Sequence, residues 1–265
     1  MKKLIFGLMI AAVGSAFAVE SANIVGYQSL ESNSSGATML APTFLAVSSQ
    51  TGCTLADLKV TGYSAPVYNE QRNRWTGGTS GAFNMQILTS SGTTETTYTW
   101  YDNGTKTGWY DEAGTTKIEE SSVALPAGKA FWCQTEGLTL VPAGSVNVLD
   151  VGFDTNSSGA TAIGNSSPVT LDLNDLTVTG YSAPVYNEQR NRWTGGTSGA
   201  LNIQFLTSSG TTEATYTWYD NGTKTGWYDE AGTTKIGNGE VSIQAGKGLW
   251  VQGEGLTLNF PAPEL

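Results

Sequence analysis

The chain has 265 residues, 13 basic and 23 acidic side chains for a net charge of −10, and no histidine. That balance argues against nucleic acid as a partner, because phosphate binding needs a concentrated basic patch, and the lack of His removes the usual base for a Ser or Cys nucleophile. Only 14% of residues are charged and 10% are aromatic; with Thr, Ser, Gly and Asn supplying the remaining polarity, this mixture suits extracellular β-structure and disfavours disorder.

The N-terminus reads as a processing signal: Lys2 and Lys3, an apolar run from Leu4 to Val13, then Ala16-Phe17-Ala18 as a small-residue cleavage site. Residues 1–18 are therefore expected to be removed as a signal peptide. Cleavage takes two basic residues and no acidic ones, leaving 11 against 23, a net of −12. No later apolar run reaches the length of a membrane-crossing helix, so no membrane span is expected after cleavage. The expected location is outside the cell or on its surface, with the periplasm as the other exported compartment.

The mature chain contains an internal repeat. Val60 to Ile118 recurs as Val178 to Ile236, and only four of those 59 positions differ. Three of the four alternate along one short run: Phe83, Met85 and Ile87 become Leu201, Ile203 and Phe205, while Asn84 and Gln86 return unchanged as Asn202 and Gln204. Alternate residues of a strand face opposite ways, so a hydrophobic face can be repacked while its polar reverse stays fixed. The fourth difference is Thr96 against Ala214. Similarity continues outward, from Val25-Gly26-Tyr27 matching Val151-Gly152-Phe153 to Ala127-Gly128-Lys129 matching Ala245-Gly246-Lys247. Two units of about 120 residues follow, over 19–144 and 145–265, with the break near Pro142 to Val146.

Within each unit, brief alternating runs such as Tyr98-Thr-Trp-Tyr101 and Leu138-Thr-Leu-Val141 are separated by Gly-rich turns, which predicts strands. Asn103-Gly104 should turn a hairpin between Tyr98–Tyr101 and Trp109-Tyr110. Leu55-Ala-Asp-Leu58 and Leu173-Asn-Asp-Leu176 carry the only hints of helical turns. The expected architecture is all-β: two tandem homologous domains, each a sandwich or barrel.

Cys53 and Cys133 both lie in the first unit, and Leu171 and Val251 replace them together in the second. In an oxidising compartment this pattern predicts a disulfide between them; two separate buried thiols are the rival reading.

Two resemblances stand beside this reading. Ala22-Asn-Ile-Val-Gly-Tyr27 after a signal peptide, with Leu125-Pro-Ala-Gly-Lys-Ala-Phe-Trp132 near the unit's end, resembles a group of secreted, β-rich bacterial proteins without an assigned function. It implies secretion and β-structure and supplies no catalytic residues. Trp100-Tyr-Asp-Asn-Gly-Thr-Lys-Thr-Gly-Trp109, repeated at Trp218 to Trp227, locally resembles the aromatic hairpins of choline- and glucan-binding repeats. Those proteins stack many short repeats where this chain has one hairpin per 120 residues, so the likeness reads as convergent hairpin chemistry.

Candidate binding residues follow from the same hairpins. Exposed indole rings beside polar side chains suit a sugar, whose C–H face stacks while its hydroxyls hydrogen-bond; Trp100, Asp102 and Trp109, with Trp218, Asp220 and Trp227, are the carbohydrate candidates. All four arginines, Arg72, Arg74, Arg190 and Arg192, sit in two copies of Glu-Gln-Arg-Asn-Arg-Trp. An extended strand would align Glu70, Arg72 and Arg74 on one face, and with Trp75 these residues form a candidate interaction surface. Asp102, Asp111 and Glu112 lack the EF-hand order. No cofactor, metal site or catalytic group is expected, and the chain is read as non-enzymatic. The expected function is structural, adhesive or self-assembling, with self or other surface proteins as partners; the alternative is a bivalent carbohydrate-binding protein that meets a polysaccharide.

Overall fold

A computed structural model describes residues 25–31, 36–45, 52–134, 137–156, 159–253 and 255–264. The expected signal peptide lies outside these. The described chain is all-β, built from several antiparallel sheets.

Each copy contributes one five-stranded sheet with the same spatial order. In the first copy the order is Thr107–Asp111, Thr94–Asp102, Thr79–Leu88, Phe131–Gln134, Ala37–Leu40. In the second it is Thr225–Asp229, Thr212–Asp220, Thr197–Leu206, Gly248–Gly253, Thr161–Gly164. The alternation read from the substitutions is realised at the centre of both. Phe83, Met85, Leu201 and Ile203 are fully buried, while Asn84, Gln86, Asn202 and Gln204 are only partly so.

A second set of strands covers the buried face. Thr139–Val146 pairs with Val25–Tyr27, Leu30–Glu31, Phe44–Leu45 and Leu58–Thr61; its counterpart Thr257–Phe260 pairs with Val151–Asp154 and Thr177–Thr179. Pro142 to Val146 therefore continues a strand and does not break the pattern, and the connection between copies falls at 147–150. Apolar side chains of Leu55, Phe83, Met85, Trp109, Phe131 and Leu140 fill the first core. The two expected helical turns are 3₁₀ turns, Leu55–Asp57 and Leu173–Asp175, each opened by a capping box.

The two copies meet through a third, smaller apolar cluster of Met39, Ala41, Leu88, Ala130 and Ala162, with Trp132, Leu206 and Trp250 packed against it. The contacts are reciprocal. Thr38 Oγ1 donates to the Ser208 carbonyl (2.7 Å), and the equivalent Thr161 Oγ1 donates to the Ser90 carbonyl (2.9 Å). Leu40 bridges Lys247 as Ile163 bridges Lys129. Gly92 (φ +81) lies against the Ala160 carbonyl and the Trp250 ring, and Gly210 (φ +83) against the Ala37 carbonyl and the Trp132 ring; a Cβ at either would sit within 3 Å of both. Such reciprocity, with i touching j and j touching i, is the mark of a two-fold contact.

The interface is also adjusted between the copies. Met39 and Gly248 approach so closely that a Cβ on Gly248 would come within 2.2 Å of Met39 Cγ. The equivalent positions hold Ala162 and Ala130, joined by the Ala130 N–H donating to the Ala162 carbonyl (3.2 Å). A large-and-small pair on one side stands against two small residues on the other, and the absence of a Cβ at Gly248 makes room for the Met39 side chain.

Candidate functional site

Among the described residues, the most exposed aromatic groups after Tyr27 belong to a two-stranded ribbon in each copy. Val67–Asn69 pairs with Arg74–Thr76, placing Tyr68 opposite Trp75. Cross-strand aromatic pairs stabilise such ribbons, and these rings meet edge-to-face at 5.3 Å and 64°. Between the strands Glu70–Arg72 forms a 3₁₀ turn, its Arg72 N–H donating to Asn69 Oδ1 (2.9 Å), and Asn73 closes it in the left-handed region at φ 47. Tyr68 donates its hydroxyl to Asn73 Oδ1. The expected extended Glu70, Arg72 and Arg74 ladder is thus absent: the first two residues occupy a turn, where side chains do not alternate as on a strand.

The ribbon is held down by Trp75, whose ring covers the backbone of Gly104. Gly104 has φ +84, and a Cβ there would lie 2.0 Å from the indole, so glycine serves both the turn and the close approach. Even so, Trp75 remains 41% exposed, Tyr68 43% and Val67 64%, with Arg72 and Arg74 exposed beside them. The second ribbon repeats this arrangement through Val185, Tyr186, Trp193, Arg190 and Arg192, with Gly222 beneath Trp193. The four arginines therefore gather, two and two, on exposed aromatic ribbons. Sequence reading found the arginines and Trp75 but passed over Val67 and Tyr68; the pairing of Val-Tyr-Asn with Arg-Trp-Thr across a four-residue turn was the available signal.

The carbohydrate candidates fare differently. Thr94–Asp102 and Thr107–Asp111 do form the expected hairpin, with Asn103 Oδ1 accepting from Thr105 and Lys106 backbone N–H groups. Trp109 and Trp227, however, are wholly buried, inside the two cores. Trp100 lies opposite Trp109 in register, their rings 5.4 Å apart, and it packs against the core with Tyr98; Trp218 does the same with Trp227 at 5.2 Å. Polar turn residues flank these indoles in sequence, but the segment through Ile118 and Val123 packs against the same core. Neither Trp109 nor Trp227 can stack a sugar. Asp102 and Asp220 accept hydrogen bonds from the Tyr63 and Tyr181 hydroxyls at 2.9 and 3.0 Å; burial and these carboxylates raise the pKa values of both tyrosines.

Other polar groups in the hairpins are likewise engaged. The Lys106 ammonium lies over the Tyr101 and Tyr110 rings, at 4.7 and 5.2 Å from their centroids, and donates to the Gly114 carbonyl. Asp111 and Asp229 accept from turn N–H groups of Thr115 and Thr116, and of Thr234 and Thr233, which lowers each carboxyl to about 2. Among the described residues no cluster of three or more His, Cys, Asp or Glu side chains is placed to hold a metal ion. Nor is any described helix long and apolar enough to cross a membrane.

The expected disulfide is not formed: Cys53 and Cys133 are separate free thiols, both buried. Cys53 points its Sγ at the Leu125 carbonyl (3.7 Å), and burial, with Asp57 nearby, raises its pKa to about 12. Burial alone raises Cys133. Each thiol packs as a small hydrophobe, and Leu171 and Val251 fill the same places in the second copy.

The chain matches no family model, no curated protein and no solved structure.

Proposed function

We propose that the chain is a non-enzymatic, exported protein of two homologous β-domains that assembles with further copies of itself through its two Tyr, Trp and Arg ribbons. The observation that carries this reading is the placement of all four arginines on two exposed aromatic ribbons of a chain that is otherwise acidic. Arg and aromatic residues are the commonest energetic anchors of protein contacts. A guanidinium grips carboxylates in a bidentate fork, and a mature chain of net charge −12 presents acidic surface to a neighbour. Mutual charge attraction of this kind steers association and fixes register.

Equivalent faces on tandem units favour head-to-tail contacts between molecules, which build open filaments or arrays when the geometry does not close. Within the chain the units meet reciprocally through the Trp132 and Trp250 face, and the ribbons lie outside that contact. A molecule with two equivalent free patches has valence two, enough for linear growth. Light scattering and electron microscopy of residues 19–265 across protein concentration test this. Growth of filaments or arrays that vanishes when Arg72, Arg74, Arg190 and Arg192 become Ser is the expected result. A parent protein that stays monomeric, or polymers indifferent to the four substitutions, would overturn it.

A further inference from the structure

The copies also differ away from their joint and from the two thiols. Along the edge of the second core, between the strands Thr197–Leu206 and Thr212–Asp220 and the segment 240–249, there is an open cavity of about 380 Å³. The equivalent position in the first copy, between Ile87, Leu125 and Phe131, retains only about 10 Å³. The covering segment differs as well: Glu120–Ser122 forms a 3₁₀ turn in the first copy, where 238–240 is a plain turn in the second.

The substitutions that separate the copies cluster at this site. Phe131 becomes Leu249, Pro126 becomes Gln244, Thr96 becomes Ala214 and Ser122 becomes Glu240. Loss of a ring and of a Thr side chain removes volume from the floor, and loss of Pro replaces a rigid lining residue with a flexible amide donor and acceptor. Phe205, in place of Ile87, packs edge-on against Tyr216 at 5.4 Å and 89° and forms an aromatic wall. Of the four differences within the near-identical block, two, Phe205 and Ala214, therefore line the cavity.

From this geometry we infer that the second copy holds a binding site for a neutral sugar residue. The cavity falls within the size range of small-molecule sites, roughly 300 to 1,000 Å³. Its wall and floor offer an aromatic and aliphatic surface for a pyranose C–H face. Glu213, Glu240, Gln244 and Lys247 are among its lining residues, a set able to accept from and donate to hydroxyl groups, with one Glu240 carboxylate oxygen already accepting from the Gly237 N–H (2.7 Å). Charge narrows the ligand further. Two carboxylates repel an anion, and Lys247 in the same lining opposes a cation, whereas a neutral polyol meets no like charge and can use both signs. The site is single, and its residues are distinct from the aromatic ribbons and from the buried indoles of Trp109 and Trp227.

The experiment is amide chemical-shift mapping on residues 19–265 with glucose, galactose and mannose, each added alone to high-millimolar concentration. Shifts confined to Ala214, Tyr216, Gln244 and Leu249 with at least one of the three sugars are expected. They should fall at least tenfold in apparent affinity in the A214T/L249F variant, which restores the first copy's residues at those two positions. The converse variant, T96A/F131L, should add a second set of shifts in the first copy and keeps the test decisive if the filled variant does not fold. Silence with all three sugars, shifts that map elsewhere, or a response to choline in place of the sugars would overturn the assignment.

Discussion

Trp132 and Trp250 occupy equivalent positions in the two copies and pack against each other edge-to-face, with ring centroids 6.1 Å apart and planes at 62°. A residue that meets its own counterpart lies near the axis relating the halves. The pair therefore marks where the two sheets join, and the joint has an apolar centre of its own.

The compensated pair at that joint predicts a thermodynamic coupling. G248A alone drives a Cβ into Met39 and should destabilise by about 1 to 3 kcal/mol; M39A alone leaves a void and should cost about 2 to 5 kcal/mol. Together they recreate the Ala and Ala arrangement found on the other side, so the double variant should cost at least 1 kcal/mol less than the sum. Urea unfolding of the four proteins measures this, and simple additivity would exclude direct packing between the two residues.

Gly104 and Gly222 are predicted to anchor the ribbons. A methyl group at either collides with the Trp75 or Trp193 ring at a positive φ, so G104A/G222A should lift both ribbons. Loss of about 1 to 3 kcal/mol per site is expected, along with a red-shifted Trp emission. If the ribbons carry assembly, polymer growth should weaken in parallel, even though all four arginines remain.

Acid stability should report the Asp111 and Asp229 turns. Their carboxyls titrate at about 2 in the folded chain, against an ordinary value of 3.8. A depressed folded-state value means stabilisation that is complete above about 3.8 and lost as pH falls through about 2. Carboxyl carbon NMR should show two resonances titrating at about 2, and D111N/D229N should flatten the dependence of the urea midpoint on pH in that window.

The two thiols should be silent in the folded protein and free in the unfolded one. Burial and the raised Cys53 pKa of about 12 keep both from a thiol-reactive dye at neutral pH. Unfolding in urea without reductant should release two reactive thiols per chain, and reductant should leave the unfolding midpoint unchanged. Zero thiols under those conditions would mean a disulfide.

Strand structure was legible because substitution had written it out: the changes at Phe83, Met85 and Ile87, interleaved with constant Asn84 and Gln86, define a buried and an outer face. The 3₁₀ turns and the Asn103-Gly104 hairpin were legible from local turn chemistry. Trp109 was misplaced because its sequence neighbours are polar turn residues, while its burial comes from chain packed over it near Ile118 and Val123. The joint between copies was invisible for a related reason. Met39, Ala130 and Trp132 look like ordinary core residues, and nothing in a linear pattern separates a face that packs inward from one that packs on a second copy. The cavity was recorded in the sequence, in Thr96 against Ala214 and Pro126 against Gln244, but its meaning depended on knowing that these positions adjoin.

A pair of identical chains related by a two-fold axis must accept every mutation at both ends of the contact at once. Joining the halves into one polypeptide lifts that obligation. Met39 with Gly248, facing Ala162 with Ala130, is what such freedom produces: a lineage can change one partner, repair the fit with the other, and leave the mirror position alone. One half can then conserve the shape that holds the molecule together while its twin is at liberty to try something new.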